Sequence, residues 1–103
     1  MNNNRRDVTV TNNEAARRYE ARVDGRLALL QYRRSGDHVD LVHTEVPAEL
    51  EGQGIGGALA RFALEDARRR RWAVIPSCPF VASYIRRHPE YQDLVAADDG
   101  SGS

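Results

Sequence analysis

The stretch that decides the fold lies between residues 46 and 59 and reads Val46-Pro47-Ala48-Glu49-Leu50-Glu51-Gly52-Gln53-Gly54-Ile55-Gly56-Gly57-Ala58-Leu59. Four of these residues are glycines, and inside a helix each glycine costs about 1 kcal/mol relative to alanine. The glycines are therefore needed either to adopt positive φ angles or to let the backbone come close to another group. Because bare N–H groups at a helix start attract anions, the stretch predicts a phosphate-binding loop or, alternatively, a tight turn without a ligand.

Two common phosphate loops fit this stretch poorly. The spacing Gly52-x-Gly54-x-x-Gly57 satisfies the dinucleotide-binding fingerprint on paper. That fingerprint also needs a large parallel sheet and an acidic residue after the next strand. Here the next apolar run is followed by Pro76-Ser77-Cys78, which contains no carboxylate. A chain of 103 residues is also too short for such a sheet. A P-loop is excluded because the chain contains no lysine.

Upstream of the loop, apolar and polar residues alternate, which is typical of half-exposed strands. Asp24-Gly25 predicts a two-residue hairpin turn, and Pro47 ends the last strand because it lacks an N–H donor. The predicted strands are a short one around Val8 and Val10, then Tyr19 to Val23, Leu27 to Tyr32 and Val39 to Val46.

Downstream of the loop, the period becomes helical. Apolar residues at 55, 59, 62, 63 and 67 predict a helix from Gln53 to about Arg70, although Asp66 falls beside this stripe without an evident reason. A short strand, Trp72 to Ile75, and a second helix from about Cys78 to His88 follow, the latter ended by Pro89. The run Arg68 to Arg71 is interpreted as a solvated helix end.

The predicted order of elements is β-β-β-β-α-β-α. This order is typical of a small α+β domain with a mixed, mainly antiparallel sheet of four to five strands and two helices. We expect one domain over residues 7–97, with flexible polar tails at 1–6 and 98–103.

The composition of the chain argues against several classes of function. The charges balance at 15 basic and 15 acidic residues, which argues against a nucleic-acid or membrane-surface binder. Cys78 is the single cysteine, so no intramolecular disulfide can form, and three scattered histidines argue against a metal site. No apolar run approaches the roughly 18 residues of a membrane span, and residues 1–6 lack an apolar signal core. A cytoplasmic protein is the expectation.

The segment Glu51-Gly52-Gln53-Gly54-Ile55-Gly56 resembles the acyl-CoA loop of the GNAT superfamily of N-acyltransferases. That loop usually reads Arg/Gln-x-x-Gly-x-Gly/Ala after a strand and opens a helix; both glycines match, and Glu51 stands where Arg or Gln is usual. The segments 43–47, 75–78 and 88–91 extend the likeness to the very short, single-domain GNAT-like group, across roughly residues 8–96.

This resemblance implies acetyl-CoA as co-substrate and no metal. It implies that the strand ending near Val46 pairs through its backbone with the pantetheine arm and that the loop holds the pyrophosphate. The helices that shape the acceptor site in larger members are missing, so an open site for a small amine or a protein amine is implied. The oligomeric state stays open, with a monomer compatible. The expected coenzyme A ligands are Val46, Glu51, Gly52, Gln53, Gly54, Ile55, Gly56, Gly57 and Ala58.

Four side chains are candidates for the chemistry. Cys78, between a strand end and a helix start, is either an acyl acceptor, as viewed in the short GNAT-like group, or a small core residue. His43 and Glu45 lie two apart on one strand and so share a face; each is a candidate general base, or else a sheet histidine and a solvated carboxylate. Tyr84 resembles the tyrosine that donates to the coenzyme A sulfur in many GNAT enzymes, or else packs in the core.

The resulting functional prediction is an acetyl-CoA-dependent N-acetyltransferase that works by direct transfer or through an acylated Cys78. Two alternatives remain at this point. One is an acyl-CoA-binding sensor or interaction module with little catalysis. The other is acyl-CoA hydrolysis assisted by Cys78.

Overall fold

Five strands form one sheet in the computed structural model, which describes residues 8–97 of the chain. The order β-β-β-β-α-β-α is confirmed; the predicted tails, 1–6 and 98–103, lie outside the described residues. The elements are β1 (Val10–Asn13), β2 (Arg18–Val23), β3 (Arg26–Ser35), β4 (His38–Glu45), α1 (Ile55–Arg70), β5 (Ala73–Ile75) and α2 (Pro79–Arg87), with short 3₁₀ helices at Ala48–Leu50 and Pro89–Leu94.

The strands follow one another across the sheet in chain order, from β1 to β5. The first four pair antiparallel, and β5 pairs parallel with β4 after the α1 crossover. The predicted class, a mixed and mainly antiparallel α+β sheet, is therefore confirmed. At the β2–β3 turn, Asp24 and Gly25 both have positive φ angles, 54° and 78°, as a two-residue hairpin turn requires.

One core lies between the sheet and the two helices. Alternate residues of the strands and the inner faces of α1 and α2 belong to a single buried cluster. Phe62 belongs to the apolar stripe that predicted α1 but is 36% exposed, because the buried face of the helix is centred further round, on Leu59, Ala60 and Ala63. Phe62 instead leans edge-on against the ring of Tyr19, with centroids 5.7 Å apart.

The structure explains Asp66, for which the sequence offered no reason. The residue is 4% exposed, and its carboxylate accepts a hydrogen bond of 2.8 Å from the hydroxyl of the fully buried Tyr19. Arg70 donates to the same carboxylate through Nε at 3.0 Å, and Arg69 donates as well. A buried carboxylate is tolerated when it is paired in this way, so Asp66 anchors α1 to β2.

The arginine run at the end of α1 is exposed, as predicted, and three of its four residues also form ion pairs. Arg69 and Arg70 bind Asp66, and Arg68 bonds both Asp93, at 3.1 Å, and a backbone carbonyl of the final 3₁₀ helix. Arg71 ends α1 in the left-handed conformation, with a φ of 63°. The segment after α2 then lies beside β5, where the N–H of Ala96 donates to the carbonyl of Val74 at 2.8 Å.

A β-bulge interrupts the pairing of β3 with β4. Gln31 pairs with His43 and Tyr32 with Leu41, so Val42 has no partner on β3. Because a β-bulge adds one residue to a strand, the side chains that follow it point to the opposite face of the sheet from the one that regular alternation would give. Thr44 therefore lies on the core side with its partner Leu30, whereas regular alternation from Leu41 would have placed His43 there.

We expect the free energy of unfolding to fall steeply above pH 10. Burial, reinforced by the hydrogen bond to Asp66, raises the pKa of Tyr19 above its ordinary value of 10.0. The folded state then keeps a proton that the unfolded state loses, so stability is fully present below pH 10 and declines as the pH rises, by about 1.4 kcal/mol per pH unit for this group.

Urea unfolding at pH 8, 9, 10 and 11 measures this decline. The chain has no lysine to titrate in the same window. Tyr19→Phe should be less stable at pH 8 but should show a shallower decline above pH 10. Equal slopes in the two proteins would show that Tyr19 is not the group responsible.

Candidate active site

The glycine loop between β4 and α1 presents a row of unpaired backbone donors. Gly52 and Gly54 have φ angles of 84° and 79°, and Gly54 is the N-cap of α1 without any side-chain capping bond. No N–H group of residues 52–57 donates to a described residue; the next donor, Ala58, bonds to the carbonyl of Gly54 at 3.0 Å. Together with the dipole of the sixteen-residue α1, these N–H groups make an anion site.

A cavity of about 680 Å³ opens beside this row, and we call it the loop cavity. Its walls are the end of β4, the glycine loop and the first turn of α2. The lining residues are Leu27, Thr44, Glu45, Val46, Pro47, Leu50, Glu51, Gly52, Gly54, Ile55, Gly56, Gly57 and Phe80.

Seven of the nine predicted coenzyme A ligands line the loop cavity, whereas Gln53 and Ala58 line a second cavity, of about 620 Å³, which lies beside the first turns of α1 and is also lined by residues of α2. The Gln53 amide nitrogen donates to the carbonyl of Glu49 at 3.4 Å, and its Oε1 is buried without a partner among the described residues. The geometry brings the predicted set together around one helix start, and their binding of coenzyme A stays a prediction.

Two glycines let α2 pack against the start of α1. A Cβ on Gly56 would lie 2.9 Å from Cζ of Phe80, and a Cβ on Gly57 would lie 3.6 Å from the ring of Tyr84. At Gly52 and Gly54, by contrast, a Cβ would meet no atom within 4 Å. The glycines therefore have two uses: Gly56 makes room for an aromatic ring, and Gly52 and Gly54 supply the positive φ angles of the loop.

Cys78 lies behind the wall of the loop cavity rather than in it. It is 4% exposed, it is the N-cap of α2, and its N–H donates to the carbonyl of Leu41 at 2.8 Å. Its Sγ lies 3.4 Å from Oγ1 of Thr44, and Thr44, not Cys78, lines the cavity. The sulfur is thus next to the site but shielded from it.

His43 and Glu45 share one face of the sheet, and their side chains lie 3.1 Å apart, from Nε2 to Oε2. Both are exposed, and only Glu45 lines the loop cavity. Because of the bulge, their face is opposite to the one that carries Thr44 and Cys78. The pair therefore lies across the sheet from the sulfur, and its role as a base stays a prediction.

Tyr84 faces a second cavity, not the loop cavity. Its ring stacks on His88 with centroids 3.9 Å apart, and its hydroxyl bonds to no described residue. Burial raises the pKa of Tyr84 above its ordinary value, so the phenol stays protonated at neutral pH and can act as a donor.

Sequence reasoning missed several residues that line the two cavities. Thr44 and Phe80 line the loop cavity, and Arg61 lines the second one. Phe80, Tyr84 and His88 recur at intervals of four, which is a readable aromatic stripe on a helix. No comparable signal exists for Thr44, because the bulge that turns it towards the core depends on how β3 and β4 pair.

The charged side chains that line the loop cavity are acidic. Glu45 and Glu51 line it, and Glu49 nearby forms an exposed pair with Arg26 at 3.4 Å. No arginine is among the described residues that line it. Attraction for an anion therefore comes from the backbone N–H groups and the helix dipole, and Glu51 opposes it.

The family follows from comparison with known proteins. The model of the GCN5-related N-acetyl-transferase family matches residues 18–94. This chain belongs to that family. Its relatives include the protein NATD1 of mouse, 31% identical over 90 residues that cover 84% of this chain and 82% of the mouse protein, and NATD1 of human, also 31% identical, with 84% and 80% covered.

The fold agrees with this assignment to the GCN5-related family. The solution NMR structure of a GCN5-like protein from Staphylococcus aureus superposes with a TM-score of 0.68 at 28% identity. The match covers 86% of this chain and 88% of the other. The small sheet with its two helices is thus an acyl-CoA N-acyltransferase-like fold.

Residues 8–97 contain neither a helix that could span a membrane nor a cluster of metal-binding side chains. No helix there is long and apolar enough to cross a membrane. No cluster of three or more histidine, cysteine or carboxylate side chains there could hold a metal ion.

Proposed function

We propose that this protein transfers an acetyl group from acetyl-CoA to an amine. The observation that carries the proposal is the row of N–H groups at residues 52–57, which have no partner among the described residues and lie beside a cavity of about 680 Å³ in a member of an N-acetyltransferase family. A pyrophosphate suits such a row, since it offers several anionic acceptors to successive donors.

The end of β4 is suited to hold the pantetheine arm. β5 pairs only with His38, Val39 and Asp40, and beyond Leu41, whose carbonyl bonds Cys78, no described strand lies beside β4 on that side. Residues 44 to 46 therefore present a free backbone edge along the loop cavity, to which an amide-bearing chain can add hydrogen bonds as an extra strand would.

The pair formed by His43 and Glu45 can move the protons that the transfer requires. Acetyl-CoA supplies the activated acyl group as a thioester. The bond from Nε2 of His43 to Glu45 leaves Nδ1 free to take a proton from the incoming ammonium, and the carboxylate stabilises the resulting imidazolium. Tyr84 lines the second cavity and not the loop cavity, so the departing thiolate takes its proton from the imidazolium rather than from the phenol.

Direct transfer fits the position of Cys78 better than a covalent route does. The sulfur is buried behind Thr44, whereas an acyl acceptor must reach the thioester carbon. We expect Cys78→Ala to change acetyl-CoA turnover by less than about tenfold, because loss of a true nucleophile costs several orders of magnitude.

The experiment measures acetyl-CoA consumption with and without a panel of small amines and peptides, for wild type, Cys78→Ala and the matched Cys78→Ser. Mass spectrometry after incubation with acetyl-CoA alone reports any adduct. A stable acetyl adduct on Cys78, together with loss of turnover in both variants, would establish the covalent route instead.

One structural feature favours an acyl-CoA-binding module as the second candidate. No described helix covers the sheet face that carries His43 and Glu45, so nothing within residues 8–97 encloses an acceptor there. Tight binding of coenzyme A without turnover across the amine panel would support this module. Turnover without any amine would indicate hydrolysis.

A further inference from the structure

Thr44 carries the one side-chain hydrogen-bond donor among the described residues that line the loop cavity. The other side chains there are apolar, apart from the carboxylates of Glu45 and Glu51, which are acceptors. A carbonyl oxygen in this cavity can therefore receive a side-chain hydrogen bond from the described residues only at Thr44.

The β-bulge in β4 is what directs Thr44 to the loop cavity. It leaves Val42 without a partner on β3 and places Thr44 on the core side of the sheet, opposite the fully buried Leu30. A hydroxyl is unusual in such a position, since the core side of a strand is normally apolar. Bulges are frequent beside active sites, where they redirect a side chain. A function in the cavity therefore explains the position of Thr44 better than packing does.

The contact between Thr44 and Cys78 leaves the hydroxyl free to donate. Oγ1 of Thr44 and Sγ of Cys78 lie 3.4 Å apart, and neither atom has another partner among the described residues. Sulfur is a weak hydrogen-bond acceptor and a thiol is a weak donor. When a carbonyl oxygen lies in the cavity, the hydroxyl therefore donates to that oxygen, and the buried thiol donates to the hydroxyl.

Thr44 lies where the thioester belongs if coenzyme A binds as proposed. Among the cavity-lining residues of β4, Thr44 is the farthest from the glycine loop along the chain. Just beyond it, the N–H of Cys78 bonds the carbonyl of Leu41 at 2.8 Å and ties α2 to β4. With the pyrophosphate on the loop and the pantetheine arm beside residues 44 to 46, the far end of that arm lies at Thr44.

We propose that the hydroxyl of Thr44 is a catalytic hydrogen-bond donor to the thioester oxygen and that Cys78 is a positioning residue that directs this hydroxyl. This assignment rests on the proposed function. As the amine nitrogen bonds to the acyl carbon, one electron pair of the C=O bond moves to the oxygen, and Thr44 stabilises the negative charge that forms there. The C–S bond then breaks with its electron pair on sulfur. The thiolate takes the proton from the imidazolium of His43, and the amide nitrogen releases its extra proton to water.

The bulge places the base and the hydroxyl on opposite faces of β4. His43 and Glu45 lie on the face that no described helix covers, and Thr44, between them in sequence, lies on the core side. An amine can therefore approach the thioester from the uncovered face while Thr44 bonds the oxygen from the other.

Steady-state kinetics with acetyl-CoA and an accepted amine test the role of the hydroxyl. Thr44→Val should lower kcat by about 100-fold, as loss of one oxyanion donor does, and should leave the KM for acetyl-CoA unchanged. Thr44→Ala gives the same test with a smaller side chain, and Thr44→Ser should recover most of the rate. Thr11→Val, at an exposed position of β1 outside both cavities, is the matched control and should behave as wild type.

Infrared spectroscopy with acetyl-CoA bound and no amine present tests the positioning role without turnover. Cys78 is the single cysteine of the chain, and acetyl-CoA has no S–H group, so one S–H stretching band is expected. A thiol that donates a hydrogen bond absorbs at lower frequency. Thr44→Val should move the band to higher frequency, Thr44→Ser should return it, and Thr11→Val should leave it in place. In kinetics, Cys78→Ala should lower kcat less than about tenfold in wild type and not at all in Thr44→Val.

Three results would each overturn the assignment while the proposed function stands. They are a Thr44→Val enzyme with the kcat of Thr11→Val, an S–H band that stays in place in Thr44→Val, and an equal loss from Cys78→Ala in both backgrounds. A wild-type protein that binds no coenzyme A in calorimetry, or that acetylates no amine of the panel, would refute the proposed function and this assignment together.

Discussion

Gly54→Asp is expected to abolish coenzyme A binding, with a loss of affinity of at least about 100-fold, or about 2.7 kcal/mol. Gly54 is the N-cap of α1, has a φ of 79° and lines both cavities. A Cβ there would meet no protein atom within 4 Å, so a side chain would project into the open space beside the unpaired N–H groups. An aspartate would fill that space, accept hydrogen bonds from the same donors and repel a pyrophosphate.

The chain offers a matched control for this substitution. Gly36, in the β3–β4 turn, also has a positive φ, of 57°, and a Cβ at this position would meet no atom within 4 Å. Gly36→Asp therefore introduces the same charge and a similar backbone cost without touching either cavity, and it should bind coenzyme A as wild type does. Calorimetry gives the affinities and thermal unfolding confirms that both variants fold. Unchanged affinity in Gly54→Asp would refute the anion site.

The parts of the fold that the sequence predicted are those with local causes. Pro47 and Pro89 end elements because each removes a donor or restricts the preceding residue. Asp24-Gly25 forms its turn because both residues accept a positive φ. The glycine loop was recognisable for the same reason, since four glycines at a helix start contradict helix propensity.

The parts that escaped prediction depend on contacts distant in sequence. Alternation showed that His43 and Glu45 share a face but not which face, because the bulge at Val42 exists only in the pairing of β3 with β4. The position of Tyr84 beside the second cavity depends on how α2 packs on Gly57. The role of Asp66 escaped prediction for the same reason, because its partner Tyr19 is 47 residues away in the sequence.

Asp66→Ala is expected to lower the free energy of unfolding by about 3 kcal/mol, because it leaves a fully buried hydroxyl without a partner and removes charge-assisted bonds. Tyr19 is wholly buried and donates to Asp66 at 2.8 Å, and Arg70 bonds the same carboxylate. For a domain of this size, each kcal/mol corresponds to a shift in Tm of about 4–8 °C. Urea and thermal unfolding at pH 7 measure both quantities.

A double-mutant cycle separates the Tyr19–Asp66 bond from a general loss of packing. If the two groups act as a unit, Tyr19→Phe should cost much less in the Asp66→Ala background than in wild type, with a coupling of about 1 kcal/mol or more. Asp93→Ala removes the exposed partner of Arg68 and should leave stability unchanged, since exposed pairs contribute little. Additive losses at Tyr19 and Asp66 would mean that the buried carboxylate does not tie α1 to β2 through this bond.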